Sequence, residues 1–161
     1  MAKYLGREEI YHAQDQQYDE VPVPEWAPAG DANPDEWVLK LKGMTGFERD
    51  RFEATLAPKG NSKRPNMENF RARLVAQCAV DPDGNRLFNS GDVKMLGEKS
   101  AKALGRVFDK CQEMNGLSDS DIDELTEDFG GGPSGSSTSD SHSPLDGHQS
   151  TKDLDESVHV S

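Results

Sequence analysis

With 161 residues, the chain has room for one domain and its tails. Only 33% of its residues are apolar, so either the core is small or part of the chain stays outside it. No run of eighteen apolar residues is present to cross a membrane, and the opening "MAKYLGREEIYHAQ" lacks the apolar centre of a signal peptide. The net charge of −12 is uneven: residues 1–114 carry 17 Lys/Arg against 19 Asp/Glu, a net of −2, while 115–161 carry 1 Lys against 11, a net of −10. Such an acidic end repels phosphate backbones and anionic lipid, so neither nucleic acid nor a membrane is an expected partner.

Residues 1–20 read as one short helix, "REEIYHAQ", followed by a polar linker. In "EVPVPEW", Val21 and Val23 alternate with Pro22 and Pro24, and prolines cannot donate ladder bonds, which limits this piece to an edge strand. "EWVLKLKG" is the clearest strand, with Trp37, Leu39 and Leu41 on one face and Val38, Lys40 and Lys42 on the other. The ten residues "APAGDANPDE" between them predict a hairpin, spanning 21–42, with a long exposed loop.

Helices are predicted over 45–57, 66–79, 98–115 and 118–129. Thr45 with Glu48 forms a capping box for the first, and Pro58 with Gly60 closes it. Met67, Phe70, Leu74 and Cys78, at spacings of three and four, mark the inner face of the second. The third carries Ala101, Leu104, Val107, Phe108, Cys111 and Met114 on one broad side and stops at Gly116. Ser118 and Asp121 open the last, with Ile122, Leu125 and Phe129 inward. The fold class is therefore α+β, mainly α: an N-terminal β-hairpin, a small helical domain of about four helices within 21–129, and a tail. The predicted core is Trp37, Leu39, Leu41, Phe47, Phe52, Phe70, Leu74, Leu104 and Phe108. Cys78 and Cys111 lie on apolar helical faces and read as core thiols in a reducing compartment. From Gly130 to Ser161 there are nine serines, no aromatic residue and four Leu or Val, a composition that predicts a disordered acidic tail.

"VDPDGNRLFNSGDV" sets Asp81, Asp83, Asn85 and Asp92 at positions where a calcium loop places oxygen ligands, and these are the candidate metal ligands of the chain. Such a loop needs glycine sixth and glutamate twelfth, whereas Arg86 and Asp92 stand there. "DPDGN" is better read as a reverse turn, after which Leu87 and Phe88 return to the core and Asn89 or Ser90 caps a short helix. Of the four histidines, His142, His148 and His159 lie in the tail and His12 near the start. No HExxH, CxxC, P-loop or nucleophile elbow is found, so no enzyme activity and no cofactor are expected. Lys59, Lys63 and Arg64 form a basic loop, read as a solvated face.

The order of "VPVPEW", "TGFERDRFEATL", "RARLVAQCAVDPDGNRLF", "LGEKSAKALGRVF" and "NGLSDSDIDEL" resembles the tail assembly chaperone of long-tailed, siphovirus-type phages, in the form common among phages of actinobacteria. The resemblance covers roughly residues 7–129 and rests on order and spacing. It departs at "APAGDANPDE", where the family's two strands are joined tightly. The resemblance implies a chaperone that binds the tape measure protein and keeps it soluble in the host cytoplasm while the tail tube forms, and that leaves before the virion matures. It also implies a longer product, made by ribosomal frameshifting, that recruits the major tail tube protein. Gly130, Gly131 and Gly132 require three consecutive GGN codons and read equally as the slip site of that frameshift or as a flexible hinge. Two other readings compete: a calcium-binding helical protein using the Asp81–Asp92 loop, and an acidic DNA-mimic inhibitor.

Overall fold

A computed structural model of the chain describes residues 1–127. The architecture is α+β and mainly helical, as the sequence implied. A short helix α1 (Arg7–Tyr11) buries no residue. Strands β1 (Tyr18–Pro22), β2 (Val38–Lys42) and β3 (Ala79–Val80) form an antiparallel sheet in the order β1-β2-β3. Helices α2 (Gly46–Ala54), α3 (Phe70–Cys78), α4 (Val93–Gly97), α5 (Ala101–Met114) and α6 (Asp119–Glu127) complete the fold.

The edge position of β1 suits Pro22, whose missing N–H breaks no ladder there. Val21 pairs with Leu39 and Asp19 with Leu41, which puts Val21, Leu39 and Leu41 on the inner face. A single apolar core joins that face to Phe52 of α2, Leu56 just beyond it, Phe70, Leu74 and Cys78 of α3, and Leu104, Val107, Phe108 and Cys111 of α5. The rings of Phe52, Phe70 and Phe108 meet in series through it, the first pair tilted and the second edge to face, with centroids 5.7 Å and 5.6 Å apart. At the sheet edge, Arg106 of α5 holds Glu25 at 2.7 Å and Lys110 holds Asp19 at 2.8 Å, so α5 is tied across β1 by charge as well as packing.

Local chemistry sets the helix ends. Thr45 accepts from the Glu48 N–H at 3.2 Å while the Glu48 carboxylate accepts from the Thr45 N–H at 2.8 Å, completing the predicted capping box. Ser100 accepts from the Ala103 N–H and starts α5 three residues inside the predicted boundary, because Val93–Gly97 forms its own turn of helix. Gly116, at φ +60, ends α5: its N–H donates to the Glu113 carbonyl and the Leu117 N–H to the Gln112 carbonyl, a Schellman motif with Leu117 buried. Ser118 and Asp121 then cap one another's backbone N–H groups at the start of α6.

Several expectations need correction. Trp37 is 46% exposed: its indole N–H donates to Asp31 at 3.1 Å, which holds the ring on the loop, and β2 starts only at Val38. Trp26 packs against the core instead. Phe47 is 70% exposed because it lies five residues before the buried Phe52, about 140° away around a helix of 3.6 residues per turn. The loop between β1 and β2 is shaped by two single-turn 3-10 helices, Pro24–Trp26 and Pro34–Glu36, each opened by a proline. Helix α3 begins at Phe70, not near 66, since Asn69 takes a left-handed backbone (φ 51) that no α-helix can include. Leu87 is exposed, and only Phe88 returns to the core. The N-cap of α4 is Asp92, not Asn89 or Ser90. The expected tail and Gly130–Gly132 lie outside the described residues, as does the end of the helix predicted to reach 129.

Candidate functional site

A groove of about 480 Å³ runs between the start of α3, the first turns of α5, and α6. Phe70, Leu104 and Phe108 form its floor. Each is buried by its helix neighbours yet keeps a small share of surface on the groove side. Met67 stands at the rim, 39% exposed, on the turn that precedes the left-handed Asn69. Ile122 of α6 packs against the core from the opposite wall. The Arg71 guanidinium lies over the Phe108 ring at 5.6 Å and covers one end of the floor with cationic surface. At the other end Gly97 of α4 comes close to Asn69: a Cβ there would meet the Asn69 Oδ1 at 2.6 Å and would displace that side-chain amide. Asn69 is the one non-glycine residue at positive φ among the described residues. Strain of this kind persists where the surroundings fix it, and here it is fixed at the mouth of the groove.

The second candidate region is the Asp81–Asp92 loop. The Asp81 N–H donates to the Asn85 carbonyl at 2.8 Å, and the Gly84 N–H to the Asp81 carbonyl at 2.9 Å, with Gly84 at φ +86. This is the reverse turn read from "DPDGN", and it serves as a hairpin: Val80 bridges to Arg86 across it. The Asp81 carboxylate accepts from the Asn85 N–H at 2.8 Å and from its side-chain amide at 3.2 Å. Those bonds hold its pKa below the usual carboxylate value. Asp92 accepts from the Asn89 N–H at 2.8 Å. Two of the four candidate ligands thus close local turns. No three His, Cys, Asp or Glu residues gather to hold a metal among the described residues.

The chain matches no family model, no curated protein and no solved structure.

Of the residues singled out from the sequence, Phe70, Leu104 and Phe108 come together as the groove floor. Leu39, Leu41, Phe52 and Leu74 lie beneath in the core, and Trp37 and Phe47 belong to neither. Asp81, Asp83, Asn85 and Asp92 stay on the hairpin and its exit. Sequence reading missed Asn115, which follows α5 and organises the interior. Its amide N–H donates to the Cys111 carbonyl at 2.7 Å and to the Cys78 sulfur at 3.3 Å, and its amide oxygen accepts from the Met44 N–H at 2.7 Å. Both cysteines are unpaired and fully buried. A hydrogen bond to Cys78, together with burial, pushes the Cys111 thiol well above its ordinary value, so it stays protonated. The groove's apolar floor and mixed rim suit the apolar face of a helix; no group lining it is arranged as a nucleophile with a base. Among the described residues, no helix is long and apolar enough to cross a membrane.

Proposed function

We propose that this chain is a tail assembly chaperone of a long-tailed phage, which binds the tape measure protein in the host cytoplasm and keeps it soluble while the tail tube assembles. The order and spacing of "TGFERDRFEATL", "RARLVAQCAVDPDGNRLF", "LGEKSAKALGRVF" and "NGLSDSDIDEL" carry the reading. The Phe70–Leu104–Phe108 groove supports it, since a long helical client exposes apolar stripes that such a groove can cover. Met67 and Ile122 grip the client from the two rims, Met67 through a flexible thioether that fits varied side chains. A longer form, made by slippage at Gly130–Gly132, recruits the tail tube protein, and no catalysis is involved.

Co-expression tests the reading. The tape measure protein encoded beside this chain should shift to the soluble fraction and co-purify with it, and Met67→Asp, at an exposed rim position, should weaken both effects while leaving the chaperone folded. An insoluble tape measure with no recovered complex refutes the proposal.

A further inference from the structure

A second, two-lobed groove adjoins the first at Asn69 and carries a more cationic rim. One lobe, of about 570 Å³, runs beside the end of α2 and the loop after it; the other, of about 450 Å³, runs between α2, α3 and the chain from Arg86 to Val93. The lobes share Thr55, Arg73, Ser90 and Val93, so they are continuous. Five cations line them: Lys59 and Lys94 in the first, Arg51 and Arg86 in the second, and Arg73 in both. None of the five forms an ion pair among the described residues, whose ion pairs are His12–Glu8, Arg49–Glu53, Arg106–Glu25, Lys110–Asp19 and Lys110–Glu113. Glu68 is the single carboxylate of the lining. Arg73 donates to the Thr55 and Asn66 carbonyls, yet its buried Nε–H finds no acceptor. The floor of the second lobe is apolar, made by Phe52, Ala76, Phe88 and Val93. A cationic rim around an apolar floor, with a spare buried donor, matches an acidic peptide that carries one aliphatic side chain.

The same chain contains such a peptide. Residues 128–161 hold six Asp/Glu and one Lys, a net of −5, and Asp153-Leu154-Asp155-Glu156 places three carboxylates around a leucine. We infer that this acidic segment docks in cis into the groove lined by Arg51, Arg73, Arg86 and Lys94, with its carboxylates on the cations and Leu154 toward Phe88 and Val93. Reach is no obstacle. The 26 residues from Glu127 to Asp153 span about 28 Å as a coil and about 86 Å when extended, while a domain of this size has a radius of gyration of about 14 Å. A tether of that length gives an effective concentration on the order of millimolar, so individually weak ion pairs suffice. The inference does not depend on the client reading above.

The test uses the full chain carrying Ser157→Cys with a nitroxide spin label, the buried Cys78 and Cys111 being protected from reagent. At low salt, the label should broaden the amide signals of Ser90, Lys94 and Gln77 and leave those of Lys102 and Asp109 on α5 sharp. In about 0.5 M NaCl, where the screening length falls to about 4 Å, the broadening should vanish. Asp153→Asn, Asp155→Asn and Glu156→Gln together should remove it at low salt, as should Arg51→Gln with Lys94→Gln; Lys94→Gln alone, at an exposed position, should weaken it even if the Arg51 change unfolds the domain. Uniform broadening, or none, overturns the proposal. Broadening that grows with protein concentration assigns the groove to a second copy. Groove signals that move only on adding a DNA oligonucleotide assign it to nucleic acid. Either result also overturns docking in cis.

Discussion

Leu74 is fully buried in the core, on the helix that packs against α5, so Leu74→Ala should cost about 2–5 kcal/mol in urea unfolding. Phe47→Ala should change the same midpoint by no more than about 0.5 kcal/mol, since its ring lies outside the core under Arg51. The contrast shows where sequence reading is weakest. Hydrophobicity marks both residues alike, and only their angle around the helix separates them. Trp26 and Trp37 make the same point: Trp26 ends a 3-10 turn and packs on the core, while Trp37 is held by Asp31. Glu25 supplies a pH prediction. Its bond to Arg106 holds its pKa down to about 2 from the usual 4.5. A depressed carboxylate stabilises the folded state above its unfolded pKa, and that contribution is lost as pH falls from 4.5 towards 2. Carboxyl NMR titration should find Glu25 in the native chain reaching half protonation only near pH 2, and Arg106→Gln should return it to the ordinary range.

The start of α2, the end of α5 and the start of α6 were legible because their determinants sit within a few residues of one another: Thr45 with Glu48, Gly116 after Met114, Ser118 with Asp121; the end of α2 was not, since it stops at Ala54 and not near 57. Thr45→Ala should cost about 1 kcal/mol. Gly116→Ala should cost about as much again, since the left-handed backbone there penalises any Cβ; chemical denaturation measures both. The start of α3 was not legible, because no helical period marks the left-handed backbone at Asn69 that excludes Asn66–Asn69 from the helix. Nor was β3: two residues are too few for a period, and its place follows from where the Asp81–Asn85 turn lets the chain pair with Lys40 and Leu41.

For the molecule as a whole, the core formed by the described residues runs from Val21 to Ile122, and the sequence from Gly130 onward offers four Leu or Val and no aromatic residue. A chain ending at Phe129 should therefore keep the helical circular dichroism and Tm of the full chain; loss of a cooperative melt would contradict this. The apolar stripes foretold the floor of the helical groove but not its walls, because neither Met67 at the rim nor the angle of α6 is encoded in a helical period. The cationic groove was read in part, as a basic loop of Lys59, Lys63 and Arg64. Arg51, Arg73, Arg86 and Lys94 join Lys59 only once α2, α3 and the hairpin exit are folded together.

The left-handed turn at Gly116 has a mechanical consequence. Two sides of the helical groove, α3 and α5, are part of the core, whereas α6 is reached through that single turn and seated by Leu117 and Ile122. One wall of the groove therefore joins the rest through a single left-handed residue, while the other two are built into the core. Under the proposed function, a change of angle at Gly116 would alter the width of the groove and leave the packing of α3 on α5 intact, so that release of a client would require no unfolding of the core.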